Sequence, residues 1–218
     1  MTRGPEGNEA YVPSVSLQTS YDGVTWTPFV VGETMITLTN IGDKVYFAAG
    51  TGGNLRMAED AAENRFVMTG LIAASGDISS LLDNSASVTD LTGRANCFEG
   101  LFYGCTSLTT APRLPATTLA SYCYFDMFHG CTSLTTAPEL PATTLATYCY
   151  SNMFRGCTSL TSIAVQFVAF SPANATSSWL YQISPYSNGT FRCPAALANS
   201  GFTRNADTVP ANWTIVTN

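Results

Sequence analysis

The sequence predicts a mainly β fold with short helices, in three parts. These are an N-terminal antiparallel, β-sandwich-like module over residues 1–76, a short solenoid of 26-residue repeats over 77–162, and a C-terminal capping segment over 163–218. Three observations lead there. Residues 104–129 and 130–155 read GCTSLTTAPRLPATTLASYCYFDMFH and GCTSLTTAPELPATTLATYCYSNMFR and agree at 21 of 26 positions. A fixed period inside the range of roughly 20–50 residues marks stacked repeats. The first quarter alternates apolar and polar residues around turn signals instead, as half-buried strands do. The last segment keeps neither pattern but supplies Trp179, Phe191 and Trp213, large side chains suited to closing an open end.

In the first module Val15, Leu17, Thr19 and Tyr21 alternate, Asp22-Gly23 supplies a hairpin turn, and Val24 and Trp26 resume the pattern. Ile36, Leu38, Val45 and Phe47 extend the alternation across a turn at Asn40–Asp43, and RFVMTGLIA (65–73) adds a strand. Four to five strands are fewer than the roughly seven of an immunoglobulin-like sandwich. The sheet therefore reads as half of a sandwich whose apolar face another subunit covers. In each repeat, Leu134, Ala137 and Leu140 lie in an extended, Thr-rich, Pro-punctuated stretch, and Thr143–Ala146 gives a second short run. Tyr148, Cys149, Tyr150, Met153, Phe154 and Cys157 then recur near the helical period, which predicts one or two turns of helix held by neighbouring repeats. CFEGLFYGC (97–105) is a degenerate earlier unit, and GCTSLTSIAVQF (156–167) begins a later one.

The cysteines follow the period. Cys97, Cys123 and Cys149 form one column at 26-residue spacing, Cys105, Cys131 and Cys157 another, and Cys193 stands apart. Eight residues within a repeat would span ~12 Å if helical, too far for a direct disulfide. Each is expected to be a small buried filler stacked on its counterpart, with cross-linking between levels as the alternative.

Only 11% of residues are charged, against roughly 25% in ordinary domains. The net charge is −6 and the nine basic residues form no run, which argues against a nucleic-acid partner. No apolar stretch approaches the ~20 residues of a membrane span, and MTRGPEGNEA leads into no h-region, so neither an anchor nor a signal peptide is expected.

No catalytic constellation is visible and no cofactor or metal site is expected. His129 is the one histidine, and its counterparts in adjacent repeats are Tyr103 and Arg155, which reads as an exposed rim position tolerant of unrelated chemistry. Glu59, Asp60 and Glu63 could pair for acid/base work but read first as a solvated loop; GTGG (50–53) reads as a lone turn. Asn174, Asn188 and Asn212 match glycosylation acceptors and read as loop residues. The five differences between the near-identical repeats are Arg113/Glu139, Ser121/Thr147, Phe125/Ser151, Asp126/Asn152 and His129/Arg155. A packed core penalises such changes, so these positions are expected to mark the outside. Arg113, Phe125, Asp126, His129, Glu139, Asn152 and Arg155 are the candidate partner contacts. A glycan-binding role would instead use Tyr21, Trp26 and Tyr46 on the sheet.

SLTTAPELPATTLATYCYSNMFRGCTSL, with SLQTSYDGVTWTPF and FVMTGLIAASGDISSLLD upstream and GTFRCP and VPANWTIV downstream, resembles the BspA-like leucine-rich repeats of Bacteroidetes surface proteins and related gut bacteriophage structural proteins. The resemblance implies a curved leucine-rich-repeat solenoid, no catalysis, and adhesion to or recognition of proteins or cell-surface glycans. Cell-surface members usually carry a leader and longer arrays. The chain is therefore expected to be a bacteriophage virion component on the particle surface (head fibre, capsid decoration or tail-associated recognition protein). It would be assembled with virion proteins or as a homo-oligomer, by analogy a trimer. A secreted, cell-surface adhesin is the alternative.

Overall fold

The structure is a computed structural model that describes residues 2–3, 15–31, 35–58, 64–84, 87–183 and 188–218. The fold is mainly β. Its described strands are β1 (Thr2–Arg3), β2 (Leu17–Ser20), β3 (Thr27–Phe29), β4 (Tyr46–Ala49), β5 (Asn64–Arg65), β6 (Ile72–Ala73), β7 (Leu108–Thr110), β8 (Ser162–Ala164), β9 (Thr190–Cys193) and β10 (Thr214–Thr217). The helical elements among the described residues are a single 3-10 turn, Ile78–Leu81, and α1, Ala195–Ala198.

β2 sits between β3 and β4 in an antiparallel sheet, with Thr19 opposite both Thr27 and Phe47. The hairpin is wider than a two-residue Asp-Gly turn. Asp22 accepts hydrogen bonds from the amides of Val24 and Thr25, so the loop holds Val24 and Trp26 outside β3. Ile36 and Leu38 precede β4 without pairing, and 65–73 splits between β5, which pairs β1, and β6, which pairs β7. In place of half a sandwich, β3, β2 and β4 form a three-stranded sheet whose Phe29 and Phe47 meet the rest of the chain. Phe29, Phe47, Phe66 and Phe102 run in contact at 5.3, 5.1 and 5.2 Å between ring centroids. The covering surface is thus supplied by the same chain, through Phe66 and the 3-10 turn Ile78–Leu81.

From residue 72 onward the repeats lie on one another in parallel. β6 pairs β7, β8 pairs β9, and β9 pairs β10, all in parallel, with further parallel bridges at Thr136↔Ser162 and Leu140↔Val165. Like residues stack: Phe102 on Phe128 on Phe154 at 5.5 and 5.7 Å, and Phe98 on Tyr124 on Tyr150 at 5.6 and 6.0 Å.

The segment expected to be helical is a ribbon of overlapping tight turns. The amides of Cys97, Glu99, Leu101, Tyr103 and Cys105 each bond the carbonyl three residues back, while those of Phe98, Gly100, Phe102 and Gly104 bond Cys123, Phe125, Met127 and His129 in the next level at 2.8–2.9 Å. The same 25-residue ladder joins Tyr124, Asp126, Phe128 and Gly130 to Cys149, Ser151, Met153 and Arg155. It then joins Tyr150, Asn152, Phe154 and Gly156 to Ala175, Ser177, Trp179 and Tyr181. A helix is interrupted because every fourth residue is left-handed: positions 96, 100 and 104, then 122, 126 and 130, then 148, 152 and 156. Glycine occupies several at little cost; Tyr122 and Tyr148 (φ 58° and 55°) do not, and their rings stack 4.8 Å apart. Side chains point inward in pairs (123–124, 127–128, 149–150, 153–154), a period of four that over this length mimics a helix.

Both ends of the ladder are covered. On one side the Met57 and Phe66 amides bond the carbonyls of Cys97 and Leu101. On the other, Leu180 donates to the Ala206 carbonyl, Ser178 to the Asp207 carboxylate and the Trp179 indole to the Thr208 carbonyl. Trp179, Phe191 and Trp213 are buried, and one apolar core runs from Leu17 to Trp213.

Candidate interaction surfaces

The cysteine columns are interior. All seven cysteines are buried free thiols, and the fourth member of the 97/123/149 column is Ala175, a filler of similar size. The second column also hydrogen-bonds. Cys131 and Cys157 donate Sγ–H to the Phe102 and Phe128 carbonyls at 3.2 and 3.0 Å, and Cys105 to Phe66 at 3.1 Å. Burial pushes the thiol of Cys105 up to about 11 and those of Cys97, Cys149 and Cys157 up to about 12; Cys123, Cys131 and Cys193 rise for the same reason. Such thiols are poor nucleophiles.

The variable positions do not all face outward. Ser151 is 3% exposed and donates to the Ser177 carbonyl at 3.0 Å, so the Phe125/Ser151 difference is set by what the next level places against it. Phe125 is half-buried with its ring 5.6 Å from Tyr122. Asp126 and Asn152 vary for a backbone reason. Both are left-handed at φ 54°, in a column with Gly100 and Ser178, and Asn, Asp and Gly tolerate that conformation best. Arg113 and Glu139 lie apart from the turn ribbon. Arg113 is exposed with Nη2 3.1 Å from Asp77, and Glu139 accepts from Gln166 at 3.3 Å. Burial would raise the Asp77 carboxyl, but hydrogen bonds from Ser87, Ser79 and Arg113 outweigh it and hold it below the usual range.

Asp126 and His129 do come together. His129 Nδ1 lies 2.8 Å from Asp126 Oδ1, and its ring packs 4.7 Å from Tyr103 in the level before. One level on, Arg155 holds its guanidinium 5.1 Å over the Tyr181 ring, and Arg65 on β5 caps the other end 5.6 Å over Tyr103. Tyr103, His129, Arg155 and Tyr181 are all planar, partly exposed groups; the Tyr103 and His129 rings meet at a tilt of 58° and Arg155 lies over Tyr181. Tyr181 and Arg65 were not among the sequence candidates. Adding 26 to 155 reaches Tyr181, whereas Arg65 precedes the repeats and had no signal.

On the sheet, Tyr21 and Tyr46 are exposed and Trp26 is half-buried. An open cleft of about 660 Å³ is lined by the Gly50–Gly53 turn, Leu82–Asn84 and Arg94. Two of its polar side chains are used internally. Asn54 Nδ2 donates to the Ser16 and Leu81 carbonyls, and Arg94 Nη1 donates to those of Asn54 and Leu55. Glu59, Asp60 and Glu63 lie outside the described residues. Among the described residues no three His, Cys, Asp or Glu side chains converge, and no helix is long and apolar enough to cross a membrane.

Comparison with protein-family models, with curated proteins and with solved structures finds no match in any of the three.

Proposed function

We propose that the chain is a non-enzymatic recognition and structural protein: a short solenoid of BspA-like leucine-rich repeats displayed on a support, with the N-terminal sheet as the docking module. The distribution of exposed apolar side chains carries this reading. Among the described residues thirteen large apolar side chains are exposed, and seven of them (Tyr21, Val24, Val30, Met35, Leu38, Ile41 and Tyr46) fall within the sheet and its loops. None falls between Tyr103 and Val168. Exposed apolar side chains gathered in one module suit a protein contact. Two of its most exposed members sit on stiffened loops. Asp22 pins the loop bearing Val24, and Asp43 accepts from the amides of Thr39 and Asn40 beside Ile41, so little freedom is lost on docking.

The support is a bacteriophage particle in this reading, and the free thiols favour it over secretion as an adhesin. Stacked levels lie ~4.8 Å apart, within the ~4.4–6.8 Å between Cα atoms that a disulfide spans. Columns of three cysteines at that spacing suit a chain that folds in a reducing compartment and is released already packed.

Light scattering on the native chain without reductant tests the docking role. A closed oligomer is expected, converted to monomer by Val24→Asp with Ile41→Asp. A monomer at every concentration, with no particle protein retained on the wild-type sheet, removes the reading.

A further inference from the structure

We propose that Arg65, Tyr103, His129, Arg155 and Tyr181 form a binding ridge for an acidic polysaccharide, aligned along the stack with one planar side chain per level. The ridge is built by the fold. Tyr103, His129, Arg155 and Tyr181 occupy the same place at 26-residue intervals, each just before the left-handed residue that ends its ribbon, so their side chains leave every level in the same direction. Contacts at 5.6 and 4.7 Å hold Arg65, Tyr103 and His129 together and one at 5.1 Å holds Arg155 on Tyr181, while Asp126 fixes the His129 ring through Nδ1. With the faces engaged, Tyr103 and Tyr181 stay partly exposed, while the Nε of Arg65 and Arg155 is buried. A prestacked row gives up little rotamer freedom when a ligand lies across it.

Charge selects the ligand. The chain carries −6 overall, yet this ridge gathers two of its nine basic residues, against the single carboxylate of Asp126 beside His129. Among the described residues neither Arg65 nor Arg155 is paired with a carboxylate, unlike Arg113 with Asp77; the Nε of each is buried, so the two Nη groups are the ones that would meet a ligand. A guanidinium unspent on internal pairing offers a sugar carboxylate a charge-assisted, two-pronged contact. Spacing selects between polymers. An extended peptide repeats like side chains every ~6.6–6.8 Å and drifts out of step with levels ~4.8 Å apart. A pyranose chain linked through opposite ends of each ring advances by close to one level per sugar.

The proposal deepens the display reading and rests on it, but the two fail separately. Loss of polysaccharide binding leaves oligomer formation intact, and a monomeric chain can still bind polysaccharide. The test is native affinity electrophoresis of the full chain in gels containing polygalacturonate, neutral dextran or poly-glutamate. Retardation by polygalacturonate alone is expected, weakening with salt. Arg155→Gln should raise the polymer concentration for half-maximal retardation at least tenfold, while Arg192→Gln, at an exposed site on β9, should leave it unchanged. Should Arg155→Gln lower the melting temperature, Arg155→Lys, which keeps the charge but not the planar fork, should still weaken retardation several-fold. Four results overturn the proposal: no retardation, equal retardation by dextran, stronger retardation by poly-glutamate, or equal behaviour of the Arg155 and Arg192 variants.

Discussion

Asn152 carries in one side chain the tension between a regular core and an irregular backbone. Its φ of 54° is needed so that its amide reaches the Ser177 carbonyl at 2.9 Å while the next residues turn inward. A residue with an ordinary Cβ costs about 1–2 kcal/mol there, a cost Asn reduces and Gly removes. Asn152→Ala is expected to lower stability by about 1 kcal/mol and Asn152→Gly to be close to neutral, as read by urea unfolding. The thiols give a second prediction. The thiols of Cys97, Cys149 and Cys157 lie near 12 against an ordinary 9.0, so the folded chain holds protons that the unfolded chain releases. Their contribution to stability is complete below about pH 9 and is lost as pH rises toward 12. The melting temperature should be flat from pH 6 to 8 and fall steadily above 9. At neutral pH no thiol should react with an alkylating reagent until denaturant exposes all seven. A melting temperature that holds to pH 11 contradicts the burial argument.

The elements are too short to stand alone, and each is stabilised by its neighbour. Three-residue strands such as β7 and β8 and the turn ribbons gain order because every second amide is bonded to another level. The closing level is where this support is most exposed to damage. Gly189, just before β9, faces Trp213, and a Cβ at position 189 would sit 2.2–2.6 Å from three atoms of the indole ring. Gly189→Ala is expected to displace Trp213 and cost at least the upper part of the ~1–3 kcal/mol usual for overpacking. A red shift in tryptophan emission should accompany the loss, and an unchanged spectrum would show that the cap does not rely on this contact. The sequence made the strand and ribbon segments visible but named the ribbon wrongly. Pairs of buried residues every four positions satisfy a 3.6-residue period over two turns, and only the alternation of amide partners separates the two.

One apolar core joins the sheet, the repeats and the C-terminal segment, through Phe29, Phe47, Phe66 and Phe102 at one end and Trp179 and Phe191 at the other. Such continuity predicts a single cooperative transition, with calorimetric and van't Hoff enthalpies in agreement. Two separable transitions would mean that the sheet holds itself together independently. The 26-residue period by itself determined which residues stack and that the two cysteine columns, Leu134, Leu140, Met153 and Phe154 are interior, because equivalent positions in a parallel stack share one environment. It also located the positions that vary, though not why they vary or which of them face outward. Only the tertiary structure decided that Asp126 and Asn152 answer to backbone conformation, that Ser151 is covered, and that Arg65 joins Tyr103, His129, Arg155 and Tyr181 in one ridge. Periodicity in a chain records its own repeat, whereas the hand of each turn and the partner of each amide are settled by the level above and the level below.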